Sequence, residues 1–201
     1  VTGIVGGLAA VGANLATAEA NSRVTALVGD GAAGTVGGIL AVNAVGSDDT
    51  YAEAASGSGG VVTGAAALAK TKNRSVTLAE LGTASRLLTA GRIALHARHT
   101  ALFNGQSDSI NASVVGASGA QTLHDVDADV AAKISEMARL ETFDLKAGAE
   151  NIVRKDWLSG SRFNVNAGSG GLLNGAAALS KSDIDVNTQV IIGAQSTINV
   201  V

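Results

Sequence analysis

The segment GGVVTGAAALAKTKNRSVTLAELG, residues 59–82, indicates the fold because the chain repeats it. GGLAAVGANLATAEANSRVTALVG at residues 6–29 and GGLLNGAAALSKSDIDVNTQVIIG at residues 170–193 align with it without a gap. A fainter copy lies between the second and the third, marked by alanines that recur every 53 residues. These are Ala26, Ala79 and Ala132. A fixed period of this length is typical of solenoids, arrays and propellers, so it favours an extended repeat fold.

The amino-acid composition narrows this choice to a solenoid with a thin interior. The 201 residues include 38 alanines and 26 glycines, and aromatic side chains make up only 2%. Such small side chains do not fill a wide core at normal packing density, and propeller blades usually carry regular aromatic motifs. The charged fraction of 15% argues against disorder, and the absence of proline excludes collagen. The absence of cysteine excludes disulfides and thiolate chemistry.

Short stretches in which aliphatic and polar residues alternate predict half-buried strands. They are residues 42–44, 95–97, 145–147 and 165–167. One third of the repeat is about 18 residues, which is enough for one coil of a parallel β-helix. We therefore predict an all-β fold, a parallel β-helix with about three coils per repeat, roughly 11 coils and a length on the order of 50 Å. Inside it we expect two stacks of aliphatic side chains: Leu15, Leu68 and Leu179, and Val28, Leu81 and Ile192.

The repeats divide the chain into segments 6–58, 59–111 and 112–169 and a partial segment 170–201. We expect residues 1–201 to form a single β-helical segment of a longer chain, because both ends fall within a repeat. We predict no signal peptide and no membrane span, since no uninterrupted apolar run approaches 18 residues.

Two stretches favour a helix when they are considered alone. Residues 79–99 and 134–145 contain strong helix formers with leucines at helical spacing. Alignment with the first repeat makes residues 79–81 and 93–97 strands. The segment from Glu136 to Glu141 stays open between helix and strand.

The order of these elements resembles that of a known family. Gly-Gly, two aliphatic residues, one variable residue and GAAAL precede Ala-x-aliphatic-Gly and then Val-Asn-Ala strands. This order is similar to the repeats of leukotoxin-type filamentous adhesins, which are large bacterial surface proteins related to filamentous haemagglutinin. The resemblance covers essentially the whole chain and implies a right-handed parallel β-helix that forms the shaft of an exported adhesin. It supplies no catalytic motif.

Asp125, Asp127 and Asp129 in HDVDADV are the candidates for a metal site. On an extended strand they share one face, and carboxylate oxygens suit a hard cation such as Ca²⁺. Alternate strand residues are about 6.6 Å apart, however, which is too far for compact coordination without a bend. The segment also lacks the glycine and the distal glutamate of an EF-hand. We therefore predict a solvated acidic face, with no metal and no cofactor.

Catalytic candidates are few. Polysaccharide-cleaving β-helices use paired carboxylates, and the pairs here are Asp48 with Asp49 and Asp183 with Asp185. Neither pair has a basic partner placed to tune it. His96 and His99 would be neighbours on a helix, but on a strand they face opposite sides. The glycine-rich stretches around residues 56–60 and 168–171 lack the lysine of a phosphate-binding loop and fit coil corners better. We predict that the chain is not an enzyme.

Charge is uneven along the chain. Residues 70–99 hold six basic side chains against one acid, and residues 124–150 hold seven acids against three basic side chains. We expect no nucleic-acid binding, because no aromatics are interleaved with the basic stretch and the net charge is −3. Opposite bands about three coils apart could instead guide lateral packing between shafts.

The main hypothesis is a structural shaft segment of a secreted filamentous adhesin on the bacterial cell surface. We expect it to self-associate into fibres or stacks, because residues 1–18 and 189–201 carry no side-chain charge that would block strand addition. Glycans or proteins of a host or neighbouring cell are further candidate partners. The alternative is a β-helical carbohydrate-active module that binds or cleaves polysaccharide. Such a module would concentrate carboxylates and aromatics in one groove, whereas this sequence spreads small residues evenly.

Overall fold

The computed structural model describes residues 1–156 and 164–201, and its helices and strands in these ranges are all parallel β-strands. They are β1 (Thr2–Ala20), β2 (Arg23–Val28), β3 (Ala33–Val36), β4 (Leu40–Leu81), β5 (Arg86–Ile134), β6 (Arg139–Lys155), β7 (Val165–Gly170), β8 (Leu173–Ile192) and β9 (Thr197–Val200). The predicted all-β parallel architecture is therefore confirmed. Within the same ranges there is no helix with the length and apolarity to cross a membrane.

The strand register makes each repeat a single layer. Thr2 pairs with Ala55, 53 positions later, and most other pairs have the same spacing. The spacing grows to 58 in the last step, where Ser107 pairs with Val165. Successive layers thus begin at residues 1, 54, 107 and 165. We call the residues that share one position in successive layers a column.

The prediction of three coils per repeat is wrong. Coils of 18 residues would pair each residue with one about 18 positions away, and the pairs of the described strands are 52 to 58 positions apart. Because the chain has no proline and its glycines and serines remain extended, β4 covers 42 residues and β5 covers 49. Four layers stack to about 19 Å instead of the expected 50 Å.

The interior is narrow, as the composition predicts, because opposite walls of each layer approach closely. At one place the gap is filled only by alanines, namely Ala16, Ala52, Ala54, Ala67 and Ala69. Beside them the Ser107 hydroxyl donates a hydrogen bond across the interior to the Ala67 carbonyl at 2.7 Å. A larger cluster fills the wider end and includes Leu81, Ile93, Leu95, Ile134 and Leu140.

The Gly-Gly pair of the repeat forms a corner. The first glycine starts each predicted repeat, and the column reads Gly6, Gly59, Ala112 and Gly170. The second glycine has a positive φ, which is +155° at Gly60 and +146° at Gly171. A Cβ at Gly60 would lie 1.8 Å from the carbonyl oxygen of Gly7 in the adjacent layer. The corner therefore requires glycine for space as well as for backbone conformation.

Two predicted alignments need correction. Residues 42–44 pair with 95–97 as expected, but the next layer supplies residues 147–149 and not 145–147. Residues 165–167 pair with 107–109 and belong to another part of the layer. Strand side chains alternate with a period of two, so a shift by two residues preserves the pattern on which these alignments relied.

Only one of the two predicted aliphatic stacks points inward. Leu81 is fully buried in a column with Val28, Ile134 and Ile192. Leu15, Leu68 and Leu179 share a column with Gln121, but this column faces outward, and Leu15 is 59% exposed. Their neighbours in the sequence, such as Ala67, face inward instead. The walls are too close together there for leucine.

A left-handed turn recurs in each layer. It is centred on residues with φ between 56° and 65°: Gly31, Ala84, Met137 and Gln195. The turns stack through backbone hydrogen bonds, such as that from Ala84 N to Glu136 O at 2.9 Å. The open question about the segment from Glu136 to Glu141 is thus answered, because it forms this turn and the start of β6 instead of a helix.

We expect Ala84→Gly to raise the free energy of unfolding by about 0.5–1 kcal/mol. A left-handed conformation costs an alanine more than it costs glycine, and this gain exceeds the added entropy of the unfolded chain. Urea unfolding measures the change. The control is Ala94→Gly within β5, which should instead lower the stability by about 0.5–1 kcal/mol. Equal destabilisation by both variants would contradict the prediction.

Candidate functional site

The interior contains a polar cluster around Asp48 and His99, both of them buried. Ser22 Oγ donates a hydrogen bond to Asp48 Oδ2 at 3.0 Å, and Ser75 Oγ also hydrogen-bonds this oxygen. His99 Nδ1 lies 3.3 Å from Thr77 Oγ1. Its Nε2 lies 3.3 Å from Asp48 Oδ2, without the alignment of a hydrogen bond. Hydroxyl, imidazole and carboxylate groups thus come together, as in a hydrolytic triad.

Burial determines what this cluster can do. Removal from solvent lowers the pKa of His99, and the Asp48 carboxylate opposes part of this effect. His99 is therefore neutral at neutral pH. Because its side chain is fully buried, a polymeric substrate cannot reach it. The arrangement instead connects layers, since Ser22, Ser75 and His99 come from different strands.

A second buried histidine, His124, lies deeper in the chain. Its Nδ1 lies 2.8 Å from Thr71 Oγ1, and its ring packs against Phe103 at a centroid distance of 5.0 Å. Nε2 has no hydrogen-bond partner within the described structure. Burial lowers the pKa of His124 to about 4, and the positive charge of Lys155 adds to the effect. Sequence analysis missed both histidine sites, because the inward alternation of polar residues resembles that of an exposed face.

Asp125, Asp127 and Asp129 lie on one outward face of β5, as predicted. Asp183 and Asp185 of β8 pair directly with Asp125 and Asp127. The closest basic group to this surface is Arg74, whose Nη2 lies 4.0 Å from Asp125 Oδ2. Among residues 1–156 and 164–201, no group of three or more acidic, histidine or cysteine side chains has an arrangement that could hold a metal ion.

The catalytic candidates do not form a common site. Asp48 is buried whereas Asp49 faces outward, and Asp183 and Asp185 lie on the exposed end layer. His96 and His99 point to opposite sides of β5. The glycine-rich stretches lie within strands and at the corner described above.

The basic and acidic stretches lie in adjacent layers, so the expectation of bands three coils apart is wrong. Glu80 and Lys133 pair in register, with Nζ 2.9 Å from Oε1. Arg92 Nε lies 2.5 Å from Asp144 Oδ2, and Arg98 Nε lies 3.4 Å from Glu150 Oε2. The 53-residue offset of the charged stretches equals the layer spacing. Opposite charges therefore meet along the shaft, where each exposed pair adds little stability.

Glu80 is the charged group that these contacts affect most clearly. Partial burial raises its pKa, but hydrogen bonds from Ser135 and Lys133 and the charge of Lys133 outweigh this effect and leave the pKa below its ordinary value. The carboxylate is thus held in its ionised form between two layers.

A large uncharged surface remains on the outer wall. It follows the GG-aliphatic-aliphatic-x-GAAAL motif and contains exposed leucines and valines in every layer, among them Leu8, Val62, Val115 and Leu172. The sequence shows the repeated motif, but only the register places its copies side by side.

Comparisons with known proteins add no assignment to this geometry. No model of a protein family, no curated protein and no solved structure matches the chain.

Proposed function

We propose that the chain is a structural shaft segment of a secreted filamentous adhesin on the bacterial cell surface. In this proposal its layers form a right-handed parallel β-helix, which is the common hand for crossovers between parallel strands. Copies self-associate by adding layers end to end. Binding of glycans or proteins on a host or neighbouring cell belongs to other parts of the assembled fibre.

The observation that carries the proposal is the uncovered row of interior side chains in the last layer. Ile184, Val186, Val190 and Ile192 occupy columns whose members in the preceding layer are buried. They are 46–58% exposed, because no strand among the described residues pairs with the outer edge of β8. An unpaired strand edge beside uncovered apolar side chains is suited to the addition of another parallel layer.

The outer walls also support a structural role. Ion pairs join adjacent layers, and the triad-like groups are enclosed. A polysaccharide-cleaving module would instead need carboxylates and aromatics in one open groove. The apolar groove on the outer wall is lined by alanine, leucine, glycine, asparagine and glutamine.

We expect Ile184→Lys to raise the concentration needed for end-to-end assembly by at least about tenfold, because it places an inward-pointing charge on the edge strand. Sedimentation over a concentration series, with electron microscopy of the assemblies, measures this change. Asn187→Lys is the matched control, since it adds the same charge to the same strand on its outward side.

Two results would contradict the proposal. The first is an unmodified protein that stays a monodisperse monomer at high concentration. The second is assembly that disappears in moderate salt, because this would assign the contact to the charged outer walls. Release of sugars from polysaccharide would support the carbohydrate-active alternative.

A further inference from the structure

The outer wall formed by residues 8–15, 61–68, 114–121 and 172–179 carries no charged side chain in any of the four layers. We call it the alanine–leucine face. Its outward columns are Ala9, Val62, Val115 and Leu173; Val11, Gly64, Ala117 and Gly175; Ala13, Ala66, Gly119 and Ala177; and Leu15, Leu68, Gln121 and Leu179.

The face has a ridge beside a groove. The ridge is the column of Leu15, Leu68, Gln121 and Leu179. The adjacent column of Ala13, Ala66, Gly119 and Ala177 forms the floor of a concave surface of about 570 Å³. No aromatic side chain lines it. Both features run along the whole stack, because every layer contributes one residue to each.

Charge marks the limit of the face. The next outward column contains Lys70 and Lys181, and the one beyond it contains Glu19, Lys72 and Asp125. An uncharged centre with a charged rim is the usual anatomy of a surface that contacts another protein.

We infer that two copies of this chain pack side by side through the alanine–leucine face, with their long axes parallel. A two-fold axis that runs along the shaft between the ridge and the groove places the leucine ridge of each copy over the alanine groove of the other. Such a contact is self-complementary, as a two-fold interface must be. A two-fold axis across the shaft would instead set ridge against ridge.

The size of the face determines how strongly such a pair holds. Eight residues along the strand and four layers cover about 23 Å by 19 Å, so a pair buries about 900 Å² in total. This is below the range of about 1,200–2,000 Å² that is typical of stable complexes. Two chains of this length therefore pair weakly, and each added layer extends the contact by about 200 Å². Lateral pairing thus strengthens as the shaft lengthens.

This inference rests on the proposed function, because it names the surface through which shafts associate laterally. The two are nevertheless tested by different variants. End-to-end assembly depends on the edge of β8, whereas lateral pairing depends on the outer wall.

The first experiment uses Ile184→Lys as the background, so that end-to-end assembly is suppressed. Sedimentation equilibrium up to millimolar concentration should show a monomer–dimer equilibrium that moderate salt does not weaken. Adding Ala66→Lys should raise the dimer dissociation constant at least about tenfold. Leu179→Lys, in another layer, should do the same. The control is Leu88→Lys, an exposed leucine outside the face.

The second experiment tests the orientation and uses the absence of native cysteine. Ala66→Cys and Leu68→Cys proteins, with tags of different mass, are mixed in the same background and oxidised. The parallel arrangement predicts a disulfide between the two variants that forms faster than in either variant alone. Circular dichroism and thermal unfolding confirm that each variant is folded.

Each outcome decides a separate point. A folded background protein that stays monomeric at millimolar concentration, or dimers that Ala66→Lys and Leu88→Lys affect equally, would overturn the lateral inference and leave the proposed shaft function intact. Mixed cysteine variants that cross-link no faster than Leu88→Cys would overturn the parallel orientation. If Ile184→Lys still assembles into filaments, the end-to-end contact of the proposed function is wrong.

Discussion

Replacing Gly60 by alanine should destabilise the protein by about 4 kcal/mol, because the change combines backbone strain with a steric clash. The φ of +155° is one that alanine rarely adopts. The added Cβ would lie 1.8 Å from the carbonyl oxygen of Gly7 and 3.1 Å from Thr63 Cγ2. The oxygen belongs to the backbone of the adjacent layer, so the clash is relieved only if the two layers separate at the corner.

Urea unfolding of Gly60→Ala measures this loss, with Gly119→Ala as the control. Gly119 also lies in the repeat, but a Cβ there would meet no atom within 4 Å, and the same column contains Ala13, Ala66 and Ala177. The control should change the free energy of unfolding by less than about 1 kcal/mol. If both variants lose the same amount, the close approach at the corner is not what requires glycine.

Acidification should lower the stability through the buried histidine His124, by about 3 kcal/mol between pH 6.5 and pH 4. Its pKa is about 4 in the folded protein and about 6.5 in the unfolded chain. The unfolded state therefore binds more protons in this interval. The contribution is fully present above pH 6.5, decreases as the pH falls and reaches its limit near pH 4. Burial of His99 changes the stability in the same direction.

Urea unfolding at a series of pH values measures this dependence. His124→Gln should remove most of the slope between pH 6.5 and pH 4, because glutamine does not take up a proton there. His96→Gln, which removes a histidine from the outward side of β5, should keep the slope. An unchanged slope in His124→Gln would show that other groups cause the loss in acid.

The repeat spacing of 53 residues could be read from the sequence because the same small-residue motif recurs at that interval. The columns of Ala26, Ala79 and Ala132 and of Val28, Leu81 and Ile192 follow from that spacing alone, and the structure contains both. The spacing does not show how many times the chain reverses direction within a repeat. Glycine and serine allow extended backbone as well as turns, so the predicted 18-residue coil had no support beyond the division by three.

The position of the leucine column shows a second limit. Leu15 and Leu68 were correctly placed together, but inward and outward residues alternate along a strand, and alanine suits either side. Only the short distance between the walls requires the alanines of this segment to face inward and its leucines to face outward. The alanine–leucine face and its groove follow from that choice.

The buried polar clusters show the same division. Asp48, Ser75 and His99 are distant in the sequence and carry no motif, so their proximity depends on which walls oppose each other. The sequence by itself determined the strand content, the repeat spacing and the stacking of like positions, because these depend on local alternation and on identity between copies. The tertiary structure decided the number of layers, the side that each residue faces and the pairing of opposite charges. These depend on the path of the chain around each layer and on the separation of its walls.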